Sequence, residues 1–162
     1  MPTDYNEARL LSTVTALESI IELSGSWSLQ SPSVFKKKTS KAVRATLRDM
    51  GASRLMLEKV AELNRPSFGD KVRSYTDKHK IVIADFPGGG LPAVIAARNA
   101  IVHRGVYRDI NAPEQADLWE HISIARELVI RIFLNAIGFR GVYWSQLHKG
   151  RPLSFPACEP PT

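Results

Sequence analysis

The stretch ARNAIVHRG, from Ala97 to Gly105, sets an arginine, an asparagine and a histidine among Ala, Ile and Val. A guanidinium such as that of Arg98 can grip a phosphate and stabilise charge as it develops there. The imidazole of His103, which ordinarily titrates near neutrality, can take or deliver a proton. Asn99 lies one helical turn before His103, about 40° around the helix, where it can hydrogen-bond the imidazole and fix its orientation. Arg98 and His103 lie about 140° apart. They meet only through the length of the arginine side chain, or across two copies of the helix. The plainer account is a histidine closing a helix C-terminus and an arginine with its stem packed and its head in water.

The helix that carries these residues is predicted from Leu91 to Arg104, with Pro92 at its first position and Gly105 just past its end. Advancing about 100° per residue from Ile95 puts Val94, Ile101, Leu91 and Val102 on one arc, with Arg98 near its middle. A guanidinium in an apolar seam costs several kcal/mol unless it is paired or faces a hydrated cleft. Glu18 falls inside the apolar arc of the first helix, among Leu11, Val14, Leu17 and Ile21. It is a candidate partner for Arg98 or His103, or a residue at the edge of a wide arc.

Around that helix the pattern is helical. Leu10, Leu11, Val14, Leu17, Ile20 and Ile21 define a helix from about Asp4 to Leu23. A second helical region is expected after Lys38, capped by Thr39 or Ser40, with a break near Gly51 and an end at Pro66. SFGDKVRSYTDKHK reads as a short polar helix, and KIVIADF as a short strand or an apolar linker. Leu118 to Ile137 is the clearest helix, stopped by Gly138. The expectation is an all-α bundle of four or five helices over residues 4–144, with an irregular tail at 145–162 rich in aromatics and proline and in part disordered. FPGGGLP lacks the Lys-Ser/Thr ending of a phosphate-binding loop and reads as a flexible connection. Tyr143 and Trp144 either pack on the bundle or stack on bases.

The composition is that of an ordinary globular chain of 162 residues, 44% apolar and 23% charged. No apolar run is long enough to span a bilayer, the N-terminus has no secretory pattern, and Cys158 is the single cysteine, so a cytoplasmic protein is expected. His79, His121 and His148 share no ligand spacing, and neither a metal nor a cofactor is expected. The net charge of +6 favours a polyanionic partner. FKKKTSKAVRATLR gathers Lys36, Lys37, Lys38, Lys41, Arg44 and Arg48, either as a phosphate-binding surface or as a solvated helix face. Arg104 and Arg108, beside the Arg–His pair, are further candidates for holding a nucleic-acid backbone.

Arg98, a polar residue directly after it, and His103 at the end of a bundle helix resemble the signature of the HEPN superfamily. The following apolar helix, ending in NAIGFRGVYW, strengthens the likeness. It is closest to the ApeA-like HEPN domains of bacterial anti-phage defence proteins and covers residues from about Tyr5 to Trp144. The resemblance implies a helical homodimer in which Arg98 and His103 of both protomers line one cleft. It also implies metal-independent cleavage of RNA by 2'-OH attack, leaving 2',3'-cyclic phosphate and 5'-OH ends. His103 would act as general acid or base, Arg98 would hold the scissile phosphate and Asn99 would orient His103. An N-terminal domain or partner subunit would complete such a system. A tyrosine that one toxin branch carries two residues after the histidine is replaced here by Gly105, with Tyr107 the nearest tyrosine, so modification at that position is not expected. The alternative is a HEPN-like module without catalysis, dimerising or binding nucleic acid for another domain.

Overall fold

The structure, a computed structural model, describes residues 3–105, 107, 118–147 and 150–156. It is mostly helical, with one small antiparallel hairpin near the C-terminus. Helix α1 (Thr3–Leu23) packs on α7 (Leu118–Ala136), and α6 (Gly90–Arg104) packs on the same helix. Leu10, Val14, Leu17 and Ile21, spaced three and four apart, are fully buried on α1. They meet Ile122, Ala125, Leu128 and Ile132 of α7 in two adjoining clusters, the first near Leu10 and Ile122, the second near Ile21 and Ile132. α1 and α7 therefore run in the same direction. Ile101 of α6 joins the first cluster and Leu91 the second, so α6 runs against both.

Helix α5 (Phe68–His79) closes the bundle. Ser67 caps it, accepting from the Asp70 N–H at 3.2 Å, and Lys80 ends it in the left-handed conformation. Its sequence reads as polar, yet Val72, Tyr75 and Thr76 are buried. Gly105, with φ of 77°, closes α6, its N–H donating to the Ile101 carbonyl at 2.9 Å.

Between α1 and α5 the chain forms an arm of α2 (Pro32–Val34), a π-helical turn (Phe35–Thr39), α3 (Ser40–Asp49), α4 (Arg54–Lys59) and a 3₁₀ turn (Val60–Asn64). Here the structure corrects the sequence reading. Thr39 and Ser40 have helical backbones and cap nothing. The helix starts at Pro32, whose fixed φ suits a first helical position, and buried Phe35 anchors its first turns. Lys36 to Lys38 therefore lie within the helical run. α6 likewise begins at Gly90, so Pro92 is not its first residue. Residues 81–86 form no regular element, which leaves the linker reading of KIVIADF. The tail is not wholly irregular: β1 (Gly141–Trp144) pairs antiparallel with β2 (Pro152–Phe155), Tyr143 opposite Leu153. The Tyr143 ring meets Phe155 edge-on at 6.2 Å, so Tyr143 packs while Trp144 is exposed. Cys158 and His148 lie outside the described residues.

The deepest polar feature was not anticipated from the sequence. Glu127 and Arg131, one turn apart on α7, are 0% and 2% exposed. Arg131 Nε donates to Glu127 Oε1 at 3.0 Å, and its two terminal nitrogens grip Asp85 at 2.7 and 2.6 Å. Arg131 Nη1 also donates to the Val82 carbonyl at 2.6 Å, and Phe86 covers the guanidinium. Glu127 accepts the Tyr143 hydroxyl at 2.5 Å and the Gln146 N–H at 2.7 Å. Burial disfavours the charged guanidinium, but Asp85 outweighs it and holds Arg131 above its ordinary pKa. Burial, and then donation to Glu127, push the Tyr143 hydroxyl up to about 12.

Removing one member of a buried charged network strands the others. Arg131→Ala is expected to cost about 3–5 kcal/mol in denaturant unfolding, and a loss under about 1 kcal/mol would contradict the network's role. Tyr143 also makes stability depend on alkaline pH. Its proton is held in the folded state and lost in the unfolded state between pH 10 and about 12. Stability is therefore intact below pH 10 and falls through that window. Tyr143→Phe should flatten the fall, measured by urea midpoints across the range.

Candidate functional site

α6 presents Arg98 at the edge of its buried face rather than in the middle. The buried residues are Leu91, Val94, Ala97, Ala100 and Ile101, while Val102 is 50% exposed. The buried face is centred toward the alanines at 97 and 100, away from Arg98. The guanidinium of Arg98 therefore leaves the apolar seam and crosses to α1. Its Nη2 donates to Glu18 Oε1 at 3.2 Å, and the two side chains are 29% and 31% exposed. Nη1 donates to Asn99 Oδ1, also at 3.2 Å.

This pair lies on a groove of about 410 Å³ between α1, α5 and α6. Phe68, Pro92 and Ile95 supply apolar wall, and Asp70 and Arg73 supply charge on the α5 side. Asp70 accepts the Ser67 hydroxyl at 2.6 Å, which is the main reason its carboxyl is held below the usual range. Arg73 stands 3.7 Å from the same carboxylate. The groove therefore offers two guanidinium groups, each beside a carboxylate that an incoming anion must displace or share.

His103 is exposed and does not line this groove. Among the described residues no hydrogen bond reaches its imidazole, and Asn99 is engaged with Arg98 instead of with His103. Within one chain, then, Arg98, Asn99 and Glu18 come together and His103 stands apart, further along α6. Because α6 runs against α1 and α7, His103 lies at the bundle end that carries the start of those two helices. There Arg9 sits 5.2 Å from the ring centres of both Tyr5 and Trp119, and both rings are exposed.

Arg104, also exposed, borders a second cavity of about 270 Å³ with Tyr107 and His121. Tyr107 is held at both ends: its N–H donates to Glu7 at 2.8 Å and its hydroxyl lies 2.9 Å from His121 Nε2. Lys37, Lys38 and Lys41 are exposed on the arm, and Arg44 is half-buried. Arg108 lies outside the described residues. Gly88, Gly89 and Gly90 all have positive φ, and a Cβ on Gly88 would meet Glu120 Oε1 at 2.6 Å. The glycine turn thus has a carboxylate against it, which disfavours a second anion there. No cluster of three or more potential metal ligands occurs among the described residues, and none of their helices is long and apolar enough to cross a membrane.

The Arg98–Glu18 pair is a third exposed, unlike the Glu127–Arg131 pair. Glu18→Gln is therefore expected to shift unfolding free energy by less than about 1 kcal/mol, while Glu127→Gln costs several times more; equal costs in parallel urea titrations would contradict this ranking. Compared with known proteins, the chain matches no family model, no curated protein and no solved structure.

Proposed function

We propose that the chain is a metal-independent endoribonuclease of the HEPN type, acting as a homodimer through Arg98 and His103. The observation that carries the reading is the placement of Arg98. Its guanidinium is held by Glu18 and Asn99 at an open groove, while His103 stands exposed on the same helix and outside that groove. About 140° of helix separates the two residues, so the arginine of one protomer is completed by the histidine of another. Val102, exposed between them, is an apolar contact that such a pairing of α6 helices covers.

In that cleft the ribose 2'-hydroxyl attacks the adjacent phosphorus. The partner protomer's His103 takes the hydroxyl proton, and the departing 5'-oxygen takes a proton from solvent. The new bond closes a 2',3'-cyclic phosphate and the broken bond releases a 5'-hydroxyl. Arg98 leaves Glu18 to hold the non-bridging oxygens, where charge accumulates in the transition state. Asn99, already bonded to Arg98, aligns the guanidinium; orienting His103 would require it to turn when the dimer forms. Arg104 and Arg108, beside the cleft, contact the RNA backbone. Anti-phage defence is the context implied by the family likeness.

A second reading has its own support. The guanidinium is already paired and Asn99 does not reach the imidazole, which suits a HEPN-like module that dimerises and binds nucleic acid without cutting it. One experiment separates the two: end-labelled RNA incubated in EDTA with the parent protein, Arg98→Ala and His103→Ala. The nuclease reading expects cyclic-phosphate ends from the parent and at least about 100-fold less cleavage from either variant. A folded, dimeric parent that leaves the RNA intact would favour the binding module.

A further inference from the structure

The charge of this protein is segregated. Residues 31–66 hold nine Lys and Arg against three Asp and Glu, which accounts for the whole net charge of +6. The remaining chain is balanced, thirteen against thirteen. These residues are the arm, whose helices pack mainly on one another, and neither core cluster of the bundle contains any of them.

Within the arm the charge is segregated again. On α4 and the 3₁₀ turn, Arg54 pairs with Glu58 and Lys59 with Glu62. On the helix from Pro32 to Asp49, Lys36, Lys37, Lys38, Lys41, Arg44 and Arg48 have no ion pair among the described residues. Like charges one turn apart, and cations in the first turns of a helix, each cost a few tenths of a kcal/mol. Among the described residues no ion pair offsets that repulsion. Phe35, Val43 and Leu47 face inward, and the exposed side shows the cations with Val34, Ala42, Ala45, Thr46 and Asp49, and no aromatic to stack on a base.

The arm is also rooted beside the groove. Asn64 closes its base through bonds with Gln30 at 2.8 and 3.0 Å, and the Leu29 N–H donates to the Asn64 carbonyl at 3.0 Å. Three residues later Ser67 begins the wall of the Arg98 groove.

We propose that this arm is a grip for the RNA backbone, with Lys37, Lys41 and Arg48 contacting phosphates spaced along one strand that runs from the arm toward Arg98. The ligand class rests on the ribonuclease reading; the grip itself does not require cleavage. The three cations span roughly 16 Å of helix, which is about four or five phosphates of one strand. Contacts to phosphate without base stacking predict tight, salt-sensitive and sequence-tolerant binding. A membrane surface fits less well, because the cations from Lys36 to Arg48 are interleaved with small and polar residues, while the arm's exposed Leu55, Met56 and Leu63 lie on other elements.

The test is the binding of a fluorescent RNA stem-loop by the full chain carrying His103→Ala, followed by anisotropy over a salt series. The same chain with Lys37→Gln, Lys41→Gln and Arg48→Gln is the comparison. Arg44 is left intact, because its Nε is buried without a hydrogen-bond partner among the described residues and its loss would act on packing. The triple variant should keep its melting temperature. It should bind at least about tenfold more weakly near 100 mM salt, and the slope of log K against log salt should be shallower by roughly 2–3. An unchanged slope and affinity would overturn the grip. So would a parent protein that binds no RNA, or one that ignores RNA but binds phosphatidylserine vesicles through these cations. Cleavage by the His103-intact triple variant at the parent's affinity would remove the arm alone. Arm-dependent binding without cleavage by the parent would remove the nuclease reading and leave the grip.

Discussion

A carboxylate and a guanidinium with no access to water, Glu127 and Arg131, impose the condition that the rest of the bundle satisfies. Neither charge is tolerable alone at that depth, so each must meet partners, and the partners come from elsewhere in the chain. Asp85 and the Val82 carbonyl bring in the connection that follows α5. Tyr143 and Gln146 bring in the first strand of the hairpin and the turn after it. One pair of side chains on α7 thus ties two segments outside the helices to the bundle. The first leads through the glycine turn into α6, and so helps to set where Arg98 emerges.

A second constraint is which face α6 buries. Ala97 joins the core cluster with Ile122 and Ala125 of α7 and Ala100 lines the second cavity, which leaves Arg98 at the margin of the buried face. From there a long side chain reaches Glu18 on α1 and the groove that α5 completes. The site's electrostatics follow from this placement, because each guanidinium at the groove is balanced by a carboxylate. The arm departs from this rule on one helix, where six cations from Lys36 to Arg48 stand against Asp49 alone. A bundle whose own charges cancel, carrying an appendage whose charges do not, suits a division between a catalytic or binding cleft and a surface that holds a polyanion.

Much of the helical framework was legible because its signals are local. Leu10, Val14, Leu17 and Ile21 repeat at helical spacing, and Gly105 and Gly138 sit where chains leave helices. The features that escaped depend on distant residues. Glu127 and Arg131 stand four apart beside buried Leu128 and Ile132, which is a readable sign of an internal pair, but Asp85 and Tyr143 could be supplied only by the fold. The centring of α6's buried face was hidden because a helical wheel favours the larger Ile95 and Val102 over the alanines at 97 and 100. The hairpin escaped because four residues of alternation in GVYW are too few to distinguish a strand from a packed tail. Of the site, the approach of Glu18 to Arg98 was weighed from α1's pattern. The engagement of Asn99 with Arg98 rather than His103 was not, since a wheel gives angles and not the path of a flexible side chain.

The central claim is that Arg98 of one protomer works with His103 of another. It is tested most directly by exchanging subunits between Arg98→Ala and His103→Ala proteins, each silent alone, and assaying the mixture on RNA. A mixed dimer retains one Arg98 and one His103 on different chains, so the account predicts that cleavage returns on mixing, with cyclic-phosphate ends. A mixture that stays silent, although mixed dimers are demonstrated by mass, would contradict it.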